Sequence, residues 1–314
     1  MSETTKIVAL HGGLLVLLVT LQFLLPAYHH GNLARIMVLA SFAIGYNVMF
    51  GYTGLLSLGH ALFFAAGMYG MGLAVQYAGA GPVVALLAGL AVSVVVALVV
   101  GLLALRTAGV GFMIVTLMFA QAGYLTILYF TTWTRGDEGL VLQQAQRTIG
   151  SLDLSQPGPR YFAALLLFAI CFLVTLWMVR APFGKVLIAI RENEERARML
   201  GYDVFRYKLA AVVISGTLCG LSGAAYGLLF GYVGATFASV QYSIFPLLWV
   251  LLGGAGTVIG PLVGTLFMFY LIDLSSSVTS AYMLVAGVVL VLLTLFAPQG
   301  LVGELRARVW RWLP

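Results

Sequence analysis

Ten long apolar runs, most of them joined by short polar links, leave this chain one solvent to fold in, the hydrocarbon of a membrane. They fall at about 7–28, 33–50, 55–77, 82–105, 110–130, 161–180, 208–230, 236–253, 257–273 and 279–297. A span needs about 20 mostly apolar residues. The runs are continuous rather than alternating, which favours helices over outer-membrane strands, because a helix satisfies its own backbone polar groups in lipid. Only 8% of the 314 residues are charged, against roughly 25% in a soluble domain. The expected fold is therefore all-α: a polytopic helical membrane protein of about ten transmembrane helices, one transmembrane domain over 1–314. Runs 236–253 and 257–273 are separated only by a stretch holding Gly253, Gly254 and Gly256, so a partly re-entrant pair, and nine spans, stays open. At the N-terminus a single lysine precedes a long run with no small-residue cleavage site, which predicts a retained first span.

The basic residues orient the bundle. With ten spans, one side holds Lys6, Arg106, the seven basic residues from Arg180 to Lys208, and Arg306, Arg308 and Arg311, twelve of the sixteen. The other side holds Arg35, Arg135, Arg147 and Arg160. The positive-inside rule then places both termini in the cytoplasm. Residues 131–160 become an external loop and 181–207 a cytoplasmic loop. The formal net charge of +6 sits at helix ends, where it meets membrane lipid rather than nucleic acid.

No phosphate-binding loop, H-E-x-x-H, C-x-x-C or G-x-S-x-G pattern occurs. Cys171 and Cys219 both lie in apolar runs and read as small core residues, so no metal site is expected. Nine of the ten acidic residues fall outside the runs, Asp273 being the exception. Ion-coupled transporters keep ionisable relays within the membrane, so any driving energy is expected to come from outside this chain. A self-sufficient ion-coupled transporter is the less favoured alternative, and a membrane enzyme is less favoured still.

The cytoplasmic loop carries a short helix signal over 190–201. Asn193 is a cap, Glu194 and Glu195 fill the first turn, Arg196 and Arg198 fall toward the end, and Gly201 suits the left-handed stop. Glu192–Arg196 and Glu194–Arg198 have i,i+4 spacing. Ile190, Ala197 and Leu200 fall on one face, so Ala197 and Leu200 are expected either to lie on the membrane surface or to enter a partner's groove.

Residues 51–67 combine Gly51, Gly54 and Gly59 with a small-residue stripe of Ser57, Ala61 and Ala65. The glycines predict an unwound or kinked segment that bares backbone groups at a cavity. His60 is a lone histidine in this run, read either as a packing residue or as a lining residue. The Gly253, Gly254, Gly256, Gly260 and Pro261 cluster predicts a second turn or broken helix beside the same pathway.

These motifs resemble a known family. Glu195-Arg196-Ala197-x-x-x-Gly201 is similar to the E-A-A-x-x-x-G coupling motif of ABC-importer permeases, with Arg196 in place of the first alanine. The longer run from Pro182 to Lys208 resembles branched-chain amino-acid importer permeases of the LivM type. Gly51 to His60 looks like that family's G-x-x-G-x-x-S-x-G-H signature, and Gly253 to Pro261 like its G-G-x-G-[ST]-x-x-G-P segment. Thr134 to Leu140 looks like its T-G-G-x-x-G-[LI] loop, with Arg135 replacing the first glycine.

The resemblance implies a transport subunit, not an enzyme, in a bacterial or archaeal inner membrane. Glu195, Ala197, Leu200 and Gly201 would couple to an ATPase. Gly54, Ser57, Gly59, His60, Gly253, Gly254 and Gly256 would border the substrate pathway. Gly136, Asp137, Glu138 and Gly139 would meet a periplasmic substrate-binding protein. The implied partners are a LivH-type second permease and two cytoplasmic ATPases of the LivG and LivF type, which would hold ATP-Mg; this chain would bind no cofactor. Branched-chain amino acids are the expected cargo, with urea or short amides as the alternative.

Overall fold

The computed structural model describes residues 3–150, 152–309 and 312. Fourteen helices follow one another along these residues: α1 (Glu3–Leu24), α2 (Ala27–Asn47), α3 (His60–Ala78), α4 (Pro82–Ala104), α5 (Val110–Tyr129), α6 (Thr131–Thr134), α7 (Pro157–Arg180), α8 (Pro182–Glu192), α9 (Glu194–Met199), α10 (Val204–Phe230), α11 (Val240–Gly253), α12 (Gly260–Val278), α13 (Tyr282–Phe296) and α14 (Leu301–Arg308). Eight are long and apolar enough to cross a membrane: α1, α2 with its extension to Tyr52, α3, α4, α5, α7, α10 and α12. The two further apolar runs form shorter helices. At 14 and 15 residues, α11 and α13 reach only about 21–23 Å at 1.5 Å per residue, less than a hydrocarbon core of about 30 Å. The protein is an all-α polytopic membrane protein, and each apolar run of the sequence became one helix. Arg311, counted above among the basic residues, lies outside the described residues.

Local chemistry sets the helix ends. Pro157, Gly158 and Pro159, at the end of the expected 131–160 loop, form the first turn of α7. Proline's missing N–H costs nothing at that position and its φ is already helical. Asp203 starts α10 four residues before the apolar run by accepting a hydrogen bond from the Arg206 N–H at 3.1 Å.

Helix α2 runs through the middle of the bundle and packs against α7, α10, α11 and α12. A second cluster joins α3, α4 and α10. There the backbones touch: a Cβ on Gly67 of α3 would lie 1.9 Å from the Gly220 carbonyl oxygen of α10. With no hydrophobic drive between helices in lipid, such close approach supplies the van der Waals contact that holds them together.

Residues 131–160 fold back over the end of α10. Strand β1 (Leu140–Val141) pairs antiparallel with β4 (Tyr232–Val233), Leu140 opposite Val233. Strand β2 (Thr148–Ile149) pairs with β3 (Leu152–Asp153).

Candidate functional site

Buried polar side chains, Asn47, Ser57, His60, Ser215, Ser243 and Thr257 among them, gather where two interrupted helices meet. Helix α2 does not end cleanly at Asn47. It loosens into a π-helical turn, Val48–Tyr52, and residues 53–59 are non-helical before α3 starts at His60. The second interruption covers 254–259, between α11 and α12. Both breaks were expected from the glycines. The expected stripe was not formed: Ser57 precedes α3 and stands outside the helix, while Ala61 and Ala65 are buried in it.

One residue that the sequence reading passed over ties the breaks together. Asn47 is 1% exposed. Its Nδ2 donates to the Thr257 carbonyl at 2.9 Å, and its Oδ1 accepts from the Gly256 N–H at 2.9 Å. A single amide thus satisfies a donor and an acceptor that the broken helix exposes. Gly51 must be glycine for this to happen, because a Cβ there would sit 1.9 Å from Asn47 Oδ1. The available signal was a lone amide inside an apolar run, where polar side chains commonly join helices.

The start of α3 is closed in the same way by serine side chains, two of them from other helices. Ser57 Oγ accepts from the Gly59 N–H at 3.1 Å. Ser243 Oγ of α11 accepts from the Ala61 N–H at 2.9 Å. Ser215 of α10 donates to the Gly45 carbonyl at 2.6 Å and lies 3.0 Å from His60 Nε2. With its proton committed to Gly45, Ser215 accepts from Nε2–H, which leaves His60 Nδ1 as a bare acceptor. That Nδ1 is buried and unpartnered among the described residues. The sequence-predicted pathway residues therefore gather around one buried junction, but most do not line an opening. Ser57, Gly59, His60, Gly253 and Gly254 are buried, whereas Gly54 and Gly256 each border a cavity.

The polar loop after α7 reaches this junction. Asn193 is the expected cap: extended, at φ −161°, it starts α9 and separates it from α8, so the apolar face read across 190–201 falls on two helices. Its Oδ1 caps α9 by accepting from the Arg196 N–H at 2.9 Å. Glu192 and Arg196 therefore stand on different helices and form no ion pair among the described residues. Glu194 does pair with Arg198 at 3.2 Å, and also with Lys208 of α10 at 2.5 Å, which braces α9 against the bundle. Gly201 takes the left-handed stop at φ 87°.

The expected apolar face divides. Ala197 is 1% exposed and packs with Val186, Ile190 and Val204, while Leu200 is 70% exposed and Met199 81%. A helix this short cannot keep both residues outward while it sits on α8. The projecting apolar pair is Met199 with Leu200, and Glu195 is exposed beside it. From α8, Arg191 donates to the Gly51 carbonyl. Gly54 leaves room for it, since a Cβ there would lie 3.0 Å from Arg191 Cγ. From α14, Arg306 donates to the Gly256 carbonyl at 3.0 Å. Each interrupted segment is thus held by one arginine from a polar helix.

At the opposite end of the bundle, Asp137 and Glu138 are exposed, while Gly136 and Gly139 are buried and shape the turn. Asp153 accepts from the Ser155 N–H and hydroxyl at 2.8 and 2.6 Å. These bonds, with one from Gln144, hold its carboxyl down at about 2. Among the described residues Arg135 is the one non-glycine with positive φ, at 58°, a conformation that costs a side chain about 1–2 kcal/mol. Replacing it by glycine is expected to stabilise the protein by about 1 kcal/mol, read as a raised thermal midpoint in detergent; an unchanged or lowered midpoint would contradict the expectation.

Comparison with known proteins fits this architecture. Residues 30–296 match the family described as the branched-chain amino acid transport system / permease component. The chain is 30% identical to the high-affinity branched-chain amino acid transport system permease protein LivM of Salmonella typhimurium, over 95% of this chain and 75% of that protein. It is 29% identical to the Escherichia coli LivM over the same shares. A guanosine ABC transporter permease protein, NupQ of Bacillus subtilis, is 26% identical over 46% of this chain and 47% of its own length. No solved structure matches. The match over residues 30–296, together with a relative 30% identical over 95% of the chain, makes the chain a member of the branched-chain amino acid transport system permease family.

Proposed function

We propose that this chain is the transmembrane permease subunit of an ABC importer that carries branched-chain amino acids across an inner membrane. ATP-Mg is held and hydrolysed by two separate cytoplasmic subunits. A LivH-type permease completes the membrane pathway, and a periplasmic binding protein delivers cargo at the face bearing Gly136, Asp137, Glu138 and Gly139. The observation that carries the reading is α9. It is a short helix with Met199 and Leu200 turned outward, and Glu194 ties it to α10. A helix seated in an ATPase groove can pass the motion of that subunit into α8 and α10 only if it is rigidly attached, as this one is. The cargo is argued from the relatives, two of which are named for branched-chain amino acids.

On this reading, partner binding favours one packing of the paired permeases in the ATP state and another after hydrolysis, and that differential affinity supplies the coupling. Gly201→Pro removes the N–H that closes α9 on the Arg198 carbonyl and forbids the left-handed φ. Glu195→Lys reverses an exposed charge on the proposed contact. Either variant is expected to insert normally and to uncouple ATP hydrolysis from uptake in reconstituted vesicles. Wild-type uptake in both would sink the assignment of α9.

A further inference from the structure

A cavity of about 510 Å³ opens beside the α2–α12 junction, between the ends of α7 and α8 and helix α14. Its polar lining is nearly all donors. Arg180, Lys185, Arg191 and Arg306 face it, with Glu192 the one carboxylate. Lys185, Arg191 and Arg306 have no carboxylate partner among the described residues; the four ion pairs there all involve other groups. Arg191 and Arg306 spend one N–H each on the Gly51 and Gly256 carbonyls, which leaves the rest of each fork available.

Tyr52 supplies the second observation. It lines the cavity and is 2% exposed, and its hydroxyl is buried without a hydrogen-bond partner among the described residues. A buried unsatisfied hydroxyl is costly. Surrounded by cations, the group it lacks is an acceptor. A wall of guanidinium, ammonium and phenol donors is the chemistry that recognises a phosphate.

We infer that this cavity binds a phosphate-bearing anion, held by Lys185, Arg191 and Arg306 with the Tyr52 hydroxyl donating to a phosphate oxygen. The anion bridges the two arginines that hold the interrupted helices, so its occupancy stiffens the junction. Two sources share this chemistry. Arg180 ends a 24-residue apolar helix, which puts the cavity at the depth of lipid headgroups, where basic pockets between spans take anionic lipids. A soluble phosphate compound is the other source. The inference stands whether or not the importer reading holds, since it needs only the fold.

The test uses the full chain, with any subunits that accompany it, purified in neutral detergent. Thermal stabilisation is titrated with short-chain phosphatidylglycerol, short-chain phosphatidylcholine and inorganic phosphate. The expected result is that phosphatidylglycerol binds roughly five- to tenfold more tightly than phosphatidylcholine. Tyr52→Phe and Lys185→Gln each weaken it several-fold, one hydrogen bond to a charged group being at stake. The Lys185 side chain makes no hydrogen bond or ion pair among the described residues, so its variant keeps the test decisive if Tyr52→Phe unfolds. If inorganic phosphate stabilises the protein with the same dependence on Lys185, the site is for a soluble anion. If it does not and phosphatidylglycerol does, the site is for a lipid headgroup. Equal response to both lipids with no response to phosphate, or responses unaltered in Lys185→Gln, would overturn the inference.

Discussion

Asn47→Ala is expected to destabilise the protein by about 2–6 kcal/mol, because it strands the Gly256 N–H and the Thr257 carbonyl in the interior, at roughly 1–3 kcal/mol each. Both bonds are 2.9 Å long and the amide is buried, so its removal takes away two satisfied partners at once. Asn47→Asp should be no remedy. It keeps the acceptor for Gly256 but turns a carboxylate oxygen toward the Thr257 carbonyl. Gly51→Ala should act on the same bonds from the other side, since its Cβ would overlap Asn47 Oδ1. Unfolding in mixed detergent, monitored by tryptophan fluorescence, reads the effect. An Asn47→Ala midpoint within about 0.5 kcal/mol of the original, the size of an ordinary surface change, would mean that the two breaks are not joined through this residue.

Arg191→Met is expected to cut coupled transport by about tenfold or more while leaving assembly and ATP hydrolysis in place. Arg191 is the direct contact from the polar helices to the π-helical turn of α2, through the Gly51 carbonyl. From there Asn47 leads to Gly256 and Thr257. A hydrogen bond to a charged group contributes about 1.5–3 kcal/mol; losing that much of the coupling free energy lowers it by at least a factor of ten. Methionine preserves the aliphatic packing on Gly54 and removes only the donor. Uptake per ATP hydrolysed is the quantity to measure. A ratio equal to the unaltered importer's would show that α8 moves the junction by some other contact.

The extent of the spans was legible because continuous apolar runs have one stable outcome in lipid. The two breaks were legible because glycines cluster in stretches otherwise suited to helix, and Gly54 and Gly256 do carry positive φ, at 76° and 75°. The resemblance of residues 134–140 to a glycine-rich loop also carried structural content. Arg135 occupies a left-handed position that glycine fills without strain. What one sequence could not show was how its parts would face each other. Asn47, Arg191 and Arg306 are far apart along the chain, and nothing in their spacing says that they converge on Gly51 and Gly256. The division of Ala197 from Leu200 was hidden for a related reason. Helical periodicity assumed one helix from 190 to 201, and the extended Asn193 resets the phase. The basic cavity was read only as a charge imbalance between the two sides of the membrane, since the position of Tyr52 within it depends on the π-helical turn.

The most direct test of the importer reading is ATP-driven uptake of radiolabelled leucine into proteoliposomes. They hold the complex that co-purifies with this chain and are supplied with its binding protein. The account predicts that two ATPase subunits and a second permease accompany the chain, and that uptake needs internal ATP and is lost with Gly201→Pro. Recovery of the chain alone, carrying solute down an ion gradient without ATP, would contradict it.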